Sequence, residues 1–262
     1  MTKHKKYEDV VKKWPVIDRI NAAKKCVEAL THRIQDVLEL HAANKIIQYS
    51  RILSDQIPMS QAANAFNTFQ HAMYSQEVVR LLAVWDRAAE YAVSIPTVVA
   101  LIDNDDVVDA LSLETFNAHA GQGVRHLNPS DDPEIQDAID VEFAKHELEF
   151  AETQAELAMK TLKACIGKVG EIQKRTKTTS IRNLRDHLSH SLSKTRQEVK
   201  NEVPNTKYGD EKELLELTVR LIEDLYCWVN GTSFDIAGDC MEKASKCADE
   251  LWLNCRFDIE KP

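Results

Sequence analysis

Long stretches of this chain carry apolar residues at helical spacing, and few residues interrupt them. The 262 residues include only seven glycines and seven prolines, and runs of alternating β-branched residues are nearly absent. An apolar content of 44% is enough to bury a proper core. The pattern predicts an all-α fold, an antiparallel bundle of long helices joined mostly by short turns.

Caps and breakers predict where the helices begin and end. We expect a single domain over residues 1–262, in which 97–132 forms a helical or irregular insertion or lid. The main predicted helices run from Trp14-Pro15 toward Leu53, from the N-cap Ser60 to about Tyr91, from Pro133 to Lys174, from Thr179 to Val203, from Glu211 to Val229 and from Ser233 to about Cys255. On the helix that begins at Pro133, the candidate core positions are Ile139, Phe143, Leu148, Leu157, Leu162 and Ile166.

The segment 185–190, with the sequence RDHLSH, lies in the predicted helix 179–203. At about 100° per residue, an apolar stripe of that helix falls within roughly 80° of arc and should face the core. The stripe consists of Ile181, Leu184, Leu188 and Leu192. The polar residues off the stripe are Arg182, Arg185, Asp186, Ser189, His190 and Ser193. This polar face is a plausible reaction surface.

A guanidinium and an imidazole are the side chains needed to cleave RNA without a metal. The 2′-hydroxyl of RNA is the nucleophile, so the protein must supply a base, an acid and positive charge at the phosphate. His190 is the candidate base or acid, and Arg185 the candidate for charge stabilisation. Asp186, four residues before His190, could orient its ring, and Ser189 or Ser193 could hydrogen-bond the RNA backbone.

Two pairs in this segment have an arginine five residues before a histidine, and the spacing alone does not decide which pair is catalytic. Arg182 and His187 have the same interval as Arg185 and His190. We favour His190 because two serines flank it, and we expect Arg182 and His187 to be accessory. Arg185 and His190 lie about 140° apart on one helix, which favours a site shared across a two-fold dimer.

Charge is distributed unevenly along the chain, whose formal net charge is −9. Residues 101–159 hold 15 Asp and Glu against two Lys and Arg, a balance of −13. Residues 168–207 hold ten Lys and Arg against four Asp and Glu, a balance of +6. The RDHLSH segment therefore lies in a basic region, which would attract phosphate in a salt-dependent way.

No motif for a cofactor or metal accompanies this segment. The six cysteines form no Cys-x-x-Cys pair, so we expect reduced core thiols. Five histidines have no partners nearby in sequence that would form a ligand set, namely His41, His71, His119, His126 and His146. No apolar run is long enough to span a bilayer, and the first residues do not resemble a signal peptide. We expect a cytoplasmic protein with no cofactor, no metal and no membrane contact.

Two segments resemble a known family. The interval from Arg185 to His190 resembles the Arg-x(4–6)-His motif of the HEPN superfamily, with Asp186 at its polar position. The sequence AANAFNTFQ at 62–70, continuing through Tyr74, Arg80 and Trp85-Asp86 to SIPT at 94–97, is similar to the AbiU-type branch linked to phage abortive infection. The second stretch is the more specific of the two.

The resemblance implies a helical bundle that dimerises with its motif helices facing each other. It also implies a metal-independent endoribonuclease, used as a toxin or defence effector, with Arg185 and His190 catalytic and Asp186 between them. The expected partners are RNA, a second copy of the chain, and an antitoxin or regulatory protein as a further candidate. Inactive HEPN proteins act as dimerisation or regulatory modules, and this non-catalytic role is the alternative.

Overall fold

The structure is a computed structural model that describes residues 6–121, 132–175, 181 and 209–259. This part of the chain contains helices and no β-strand. In chain order the helices are α1 (Tyr7–Val11), α2 (Val16–Tyr49), α3 (Arg51–Ser54), α4 (Gln61–Ala83), α5 (Ile95–Ile102), α6 (Asp105–His119), α7 (Pro133–Lys174), α8 (Asp210–Asn230), a π-helical turn (Ile236–Cys240) and α9 (Met241–Trp252). The all-α prediction is confirmed. In the described residues no helix is both long enough and apolar enough to cross a bilayer.

Helix α2 is the central element, and it packs against α4, α5, α6, α8 and α9. Its buried apolar residues recur every three or four positions, which is one face of an α-helix. They include Ile20, Val27, Leu30, Ile34, Val37 and Leu38. Ile17, at the start of α2, is exposed instead, so the stripe begins one turn later.

Helices α2 and α4 pack antiparallel, and so do α6 and α7. Gln48 of α2 donates to the carbonyl of Gln70 in α4 (2.9 Å), whereas Asn44, one turn earlier, donates to the later carbonyl of Met73 (3.2 Å). From the start of α6 to its end, Asp105 pairs with Lys163, Ser112 donates to the carbonyl of Ala155 (2.8 Å) and His119 packs on Phe150 of α7. Both pairs agree with the predicted antiparallel bundle.

Helix α4 begins as predicted and ends earlier than predicted. The Ser60 hydroxyl accepts a hydrogen bond from the Ala63 amide, which is the predicted N-cap. The helix ends at Ala83 and not at Tyr91. The chain turns there because Trp85 enters the core, where its Nε1 donates to Thr218 of α8 (2.9 Å).

Helix α7 has the predicted bounds, but its apolar positions are only partly buried. Asp132 caps it by accepting from the Glu134 amide (3.0 Å). The predicted core residues Phe143, Leu148 and Leu157 are exposed, whereas Leu162 is buried and Ile166 packs against the core. The buried positions of α7 all lie from residue 151 onward, and they are Ala151, Ala158, Leu162, Cys165, Val169 and Ile172. The preceding turns extend beyond the core.

The last predicted helix is divided. Glu223 of α8 accepts from the amides of Ile236 (2.8 Å) and Ala237 (2.7 Å), and these bonds start a π-helical turn before α9.

All six cysteines are free thiols, in agreement with the prediction. The expectation that all six lie in the core is wrong for Cys247, which is exposed on α9.

Residues 95–111 contribute to the core. The sequence predicts that 97–132 forms an insertion or lid, but α5 is almost entirely buried and Val107, Val108 and Leu111 of α6 are buried as well. Any movement of a lid must leave these residues in place. The lid stays a prediction for the rest of the segment.

Candidate functional site

The predicted catalytic segment follows a residue that is fixed in the core. Ile181 is helical and 1% exposed, as expected for the first residue of the apolar stripe. The predicted site residues, which all follow it, lie outside the described residues. They are Arg182, Arg185, Asp186, His187, Ser189, His190 and Ser193. Their roles therefore stay predictions.

The described chain resumes at Gly209, beside a cavity of about 280 Å³. Gly209 has φ +99°, a left-handed conformation that favours glycine, and it is the N-cap of α8. The cavity lies between α2, α4 and the first turn of α8. Its lining residues are His41, Asn44, Lys45, Gln48, Tyr49, Tyr74, Glu77, Gly209, Glu211 and Lys212.

Glu77 of α4 is the most deeply buried charged residue of this cavity, with 0% of its surface exposed. Its Oε1 lies 2.7 Å from Nδ1 of His41, and its Oε2 accepts from Nδ2 of Asn44 at 2.6 Å. His41 and Asn44 are three residues apart on α2, so both side chains face α4. One carboxylate of α4 is thus held by one turn of α2.

Glu211, in the first turn of α8, is the second buried carboxylate and is 5% exposed. Both of its oxygens accept from the Gly209 amide, at 3.1 and 2.9 Å, and Oε2 also accepts from the hydroxyl of Tyr74 at 3.0 Å. Tyr74 and Glu77 are three residues apart on α4, so the same face of α4 contacts both α2 and α8. We call His41, Asn44, Tyr74, Glu77 and Glu211 the polar cluster.

The charge of the polar cluster affects a neighbouring hydroxyl. Burial raises the pKa of Tyr49, and the negative charges of Glu211 and Glu77 raise it further. Lys45 and Lys212 also line the cavity, but neither forms an ion pair with Glu77 or Glu211. The cluster therefore presents carboxylate oxygens to the cavity without a lysine partner.

Three residues of the polar cluster have the geometry of a ligand set. His41, Glu77 and Glu211 each offer one ligand atom, and these atoms all lie within 4.8 Å of one another. Imidazole nitrogen and carboxylate oxygen are common ligands of divalent cations. Among the described residues, this is the cluster of His, Cys, Asp and Glu that is compact enough to hold an ion.

Sequence reasoning missed most of the polar cluster. His41 was expected to be a surface or satisfied core histidine because no ligand partner lies near it in sequence, and its partner Glu77 is 36 residues away. Tyr74 belongs to the stretch 62–86 that resembles the AbiU-type branch, and it does line the cavity. A signal was present: Glu77 lies on the same face of α4 as the buried residues Tyr74 and Leu81, where a charged residue is unusual.

Two other residues of that stretch have structural contacts. Trp85 lies in the core, 1% exposed, as the sequence predicts. The Nη1 of Arg80 donates to Asp36 of α2 at 3.0 Å, and both of these side chains are largely exposed. This surface ion pair connects α4 and α2, and it contributes little to the free energy of unfolding because both side chains are exposed to solvent.

A comparison with protein-family models matches this chain to HEPN_AbiU2, described as AbiU2, over residues 20–237. The matched range covers most of the chain and includes both the polar cluster and the segment 182–193. Neither the search of curated proteins nor the search of solved structures found a match. The family model bears out the resemblance that the two sequence segments indicate.

Proposed function

Because the chain belongs to the HEPN_AbiU2 family, we propose that it is a metal-independent endoribonuclease of the abortive-infection type. The observation that carries the proposal is the family match, which spans the Arg185 to His190 motif. The basic balance of residues 168–207 supports it, since a positive surface attracts RNA. Ile181 supports it as well, because the first residue of the predicted apolar stripe of the motif helix is buried in the core.

The proposed reaction is an in-line transesterification of RNA. A base removes the proton of the 2′-hydroxyl, the 2′-oxygen attacks the adjacent phosphorus, and the 5′-oxygen leaves with a proton from an acid. The products are a 2′,3′-cyclic phosphate and a 5′-hydroxyl. His190 acts as base or acid, Arg185 stabilises the phosphorane charge and Asp186 orients His190.

The remaining predicted residues position the RNA. Ser189 and Ser193 donate to the phosphate backbone, and Arg182 and His187 are accessory. We propose that two copies of the chain place their motif helices opposite each other, so that Arg185 of one copy and His190 of the other contact one phosphate.

The decisive experiment is cleavage of total RNA or transfer RNA by the purified chain in EDTA. We expect cleavage by the parent and at least about a hundredfold slower cleavage by Arg185→Ala and His190→Ala, as for loss of a general acid or base. His146→Ala is the matched control, since His146 is exposed on α7. Intact RNA, or equal cleavage by the parent and His190→Ala, would refute the proposal. Circular dichroism in the same buffer separates loss of fold from loss of chemistry.

One observation favours a second function, a non-catalytic dimerisation or regulatory module. The first half of α7 exposes large apolar side chains that a soluble helix usually buries. Ile135 is 52% exposed, Val141 70% and Leu148 47%. Sedimentation combined with an RNA-binding titration separates the two functions. A stable dimer without salt-sensitive RNA affinity would favour the module.

The predicted insertion 97–132 is a further candidate for regulation. We propose that part of the segment 97–132 acts as a lid over the basic region. Because residues 95–111 belong to the core, the deletion that tests this is 122–131. Faster RNA cleavage after the deletion would support a lid, and unchanged cleavage would exclude it.

A further inference from the structure

Three helices converge on the polar cluster, and each contributes one ligand atom. His41 comes from α2, Glu77 from α4 and Glu211 from α8, with the three atoms within 4.8 Å of one another. Ligands of a first-row divalent cation lie about 2.0–2.2 Å from it, so pairs of ligands lie roughly 3–4.4 Å apart. Shifts of a few tenths of an ångström would therefore bring all three atoms to one cation.

A positive partner would stabilise the two carboxylates of the polar cluster. Glu77 and Glu211 are both more than nine-tenths buried, and carboxylates buried side by side repel each other. His41 is charged only when it is protonated, and neither lysine of the cavity forms an ion pair with the cluster. A divalent cation would neutralise both carboxylates at once.

Asn44 gives an independent indication that an ion or another donor occupies this cavity. Its side chain is 4% exposed, and its Oδ1 has no hydrogen-bond partner among the described residues. The amide orientation is set because Nδ2 donates to two acceptors, Glu77 Oε2 and the Met73 carbonyl. A buried acceptor without a donor is rare, and it is expected where a cation is bound.

We propose that His41, Glu77 and Glu211 bind a divalent transition-metal cation in the cavity that Asn44 also lines. One imidazole and two carboxylates favour Mn²⁺ or Zn²⁺ over Mg²⁺ and Ca²⁺, which prefer oxygen ligands alone. The cation links α2, α4 and the first turn of α8. It takes no part in the RNA chemistry proposed above, and its binding is independent of whether the chain cleaves RNA.

Mn²⁺ is the probe of choice because it is a hard cation, and the six free thiols compete for it less than for Zn²⁺. The full chain is stripped with EDTA, dialysed and titrated with MnCl₂, while electron paramagnetic resonance measures the free ion. We expect about one Mn²⁺ bound per chain. At a free concentration a hundred times Kd, Tm should rise by about 5–10 °C.

Variants test the assignment of ligands. His41→Gln and Glu211→Gln should each weaken Mn²⁺ binding at least about tenfold. The matched control is His146→Gln on α7, where His146 lies 3.3 Å from Glu142 and 3.7 Å from Glu149 on an exposed surface. Binding by the control should equal that of the parent. If the parent binds no Mn²⁺, or if His41→Gln unfolds cooperatively and binds like the parent, the proposal is wrong.

A second measurement needs no variant. Fe²⁺ bound at the site, treated with ascorbate and peroxide, should cut the parent backbone near residues 41, 77 and 211, and mass spectrometry identifies the cuts. Cuts at these three positions support the site even if the variants fail to fold. Cuts elsewhere, such as beside His146, would overturn it.

Discussion

Trp85 and Thr218 are buried residues whose side chains are joined by a hydrogen bond. Thr218 is 0% exposed, and its Oγ1 accepts from Trp85 Nε1 (2.9 Å) while donating to the Leu214 carbonyl (2.6 Å). The pair joins the loop after α4 to α8. Without the acceptor, the indole N–H would be buried with no partner.

Replacement of Thr218 by valine, which has nearly the same shape, tests this pair. We expect Thr218→Val to lower the free energy of unfolding by about 1–3 kcal/mol, measured by urea denaturation. The matched control is Thr153→Val, since Thr153 is exposed on α7 and donates only to the Glu149 carbonyl. Equal stability of Thr218→Val and the control would contradict the assigned role.

Cys165 is a buried thiol whose pKa is strongly raised. Burial raises its pKa to about 12, and the neighbouring Asp224 raises it as well. The thiol form is therefore favoured in the folded chain. This contribution to stability is complete below the ordinary thiol pKa and is lost as the pH rises toward 12.

Two measurements check the titration of Cys165. At pH 8, iodoacetamide should alkylate the exposed Cys247 in the native chain and reach Cys165 only after unfolding. In addition, Cys165→Ala should show a shallower fall in stability than the parent above pH 9. Equal native alkylation of both thiols would contradict the raised pKa.

At the scale of elements, Arg19 stabilises the end of α5. Arg19 is 2% exposed, and its guanidinium donates to the carbonyls of Leu101 (2.8 Å), Ala100 (3.2 Å) and Asp103 (3.4 Å). Burial lowers the pKa of Arg19, while Asp103 and Asp106 oppose this effect. A cation at a helix C-terminus satisfies carbonyls that the helix itself leaves unpaired.

Removal of the Arg19 guanidinium should lower the free energy of unfolding more than removal of an exposed guanidinium. We expect Arg19→Met to lower the free energy of unfolding by about 2–4 kcal/mol, because buried carbonyls lose charged donors. Arg33→Met is the control, since Arg33 also lies on α2 and donates to a single loop carbonyl, that of Val93, at 3.3 Å on the surface. The measurement is chemical denaturation of both variants, and equal losses would contradict the role of Arg19.

Helix α7 illustrates what the sequence does and does not predict. Its bounds follow from local signals, the Asp132 cap and Pro133 at its start, and they match the structure. Its buried positions do not follow from local signals alone, because Leu148 lies within about 40° of Leu162 around the helix and is exposed, whereas Leu162 is buried. Burial depends on which part of the helix its neighbours cover, and these are set by the whole bundle.

At the scale of the whole molecule, the motif and the polar cluster differ in how far the sequence reveals them. The RDHLSH motif is contiguous, so its residues can be recognised without a structure. The polar cluster joins residues of α2, α4 and α8, and Tyr74 and Glu211 alone are 137 positions apart. Only tertiary packing brings such groups together, which is why the cluster was not predicted.

The proposed sharing of one active site by two chains leads to a test on mixed dimers. If Arg185 of one copy and His190 of the other form each site, a dimer of Arg185→Ala with His190→Ala keeps one intact site of two. Random reassociation makes about half of the dimers mixed, so about a quarter of the parent rate should return. RNA cleavage is measured after the two variants are mixed under conditions that exchange subunits. The control is each variant exchanged with itself, which should stay inactive. If the mixture also stays inactive while mixed dimers are detected by mass, both groups must come from one chain.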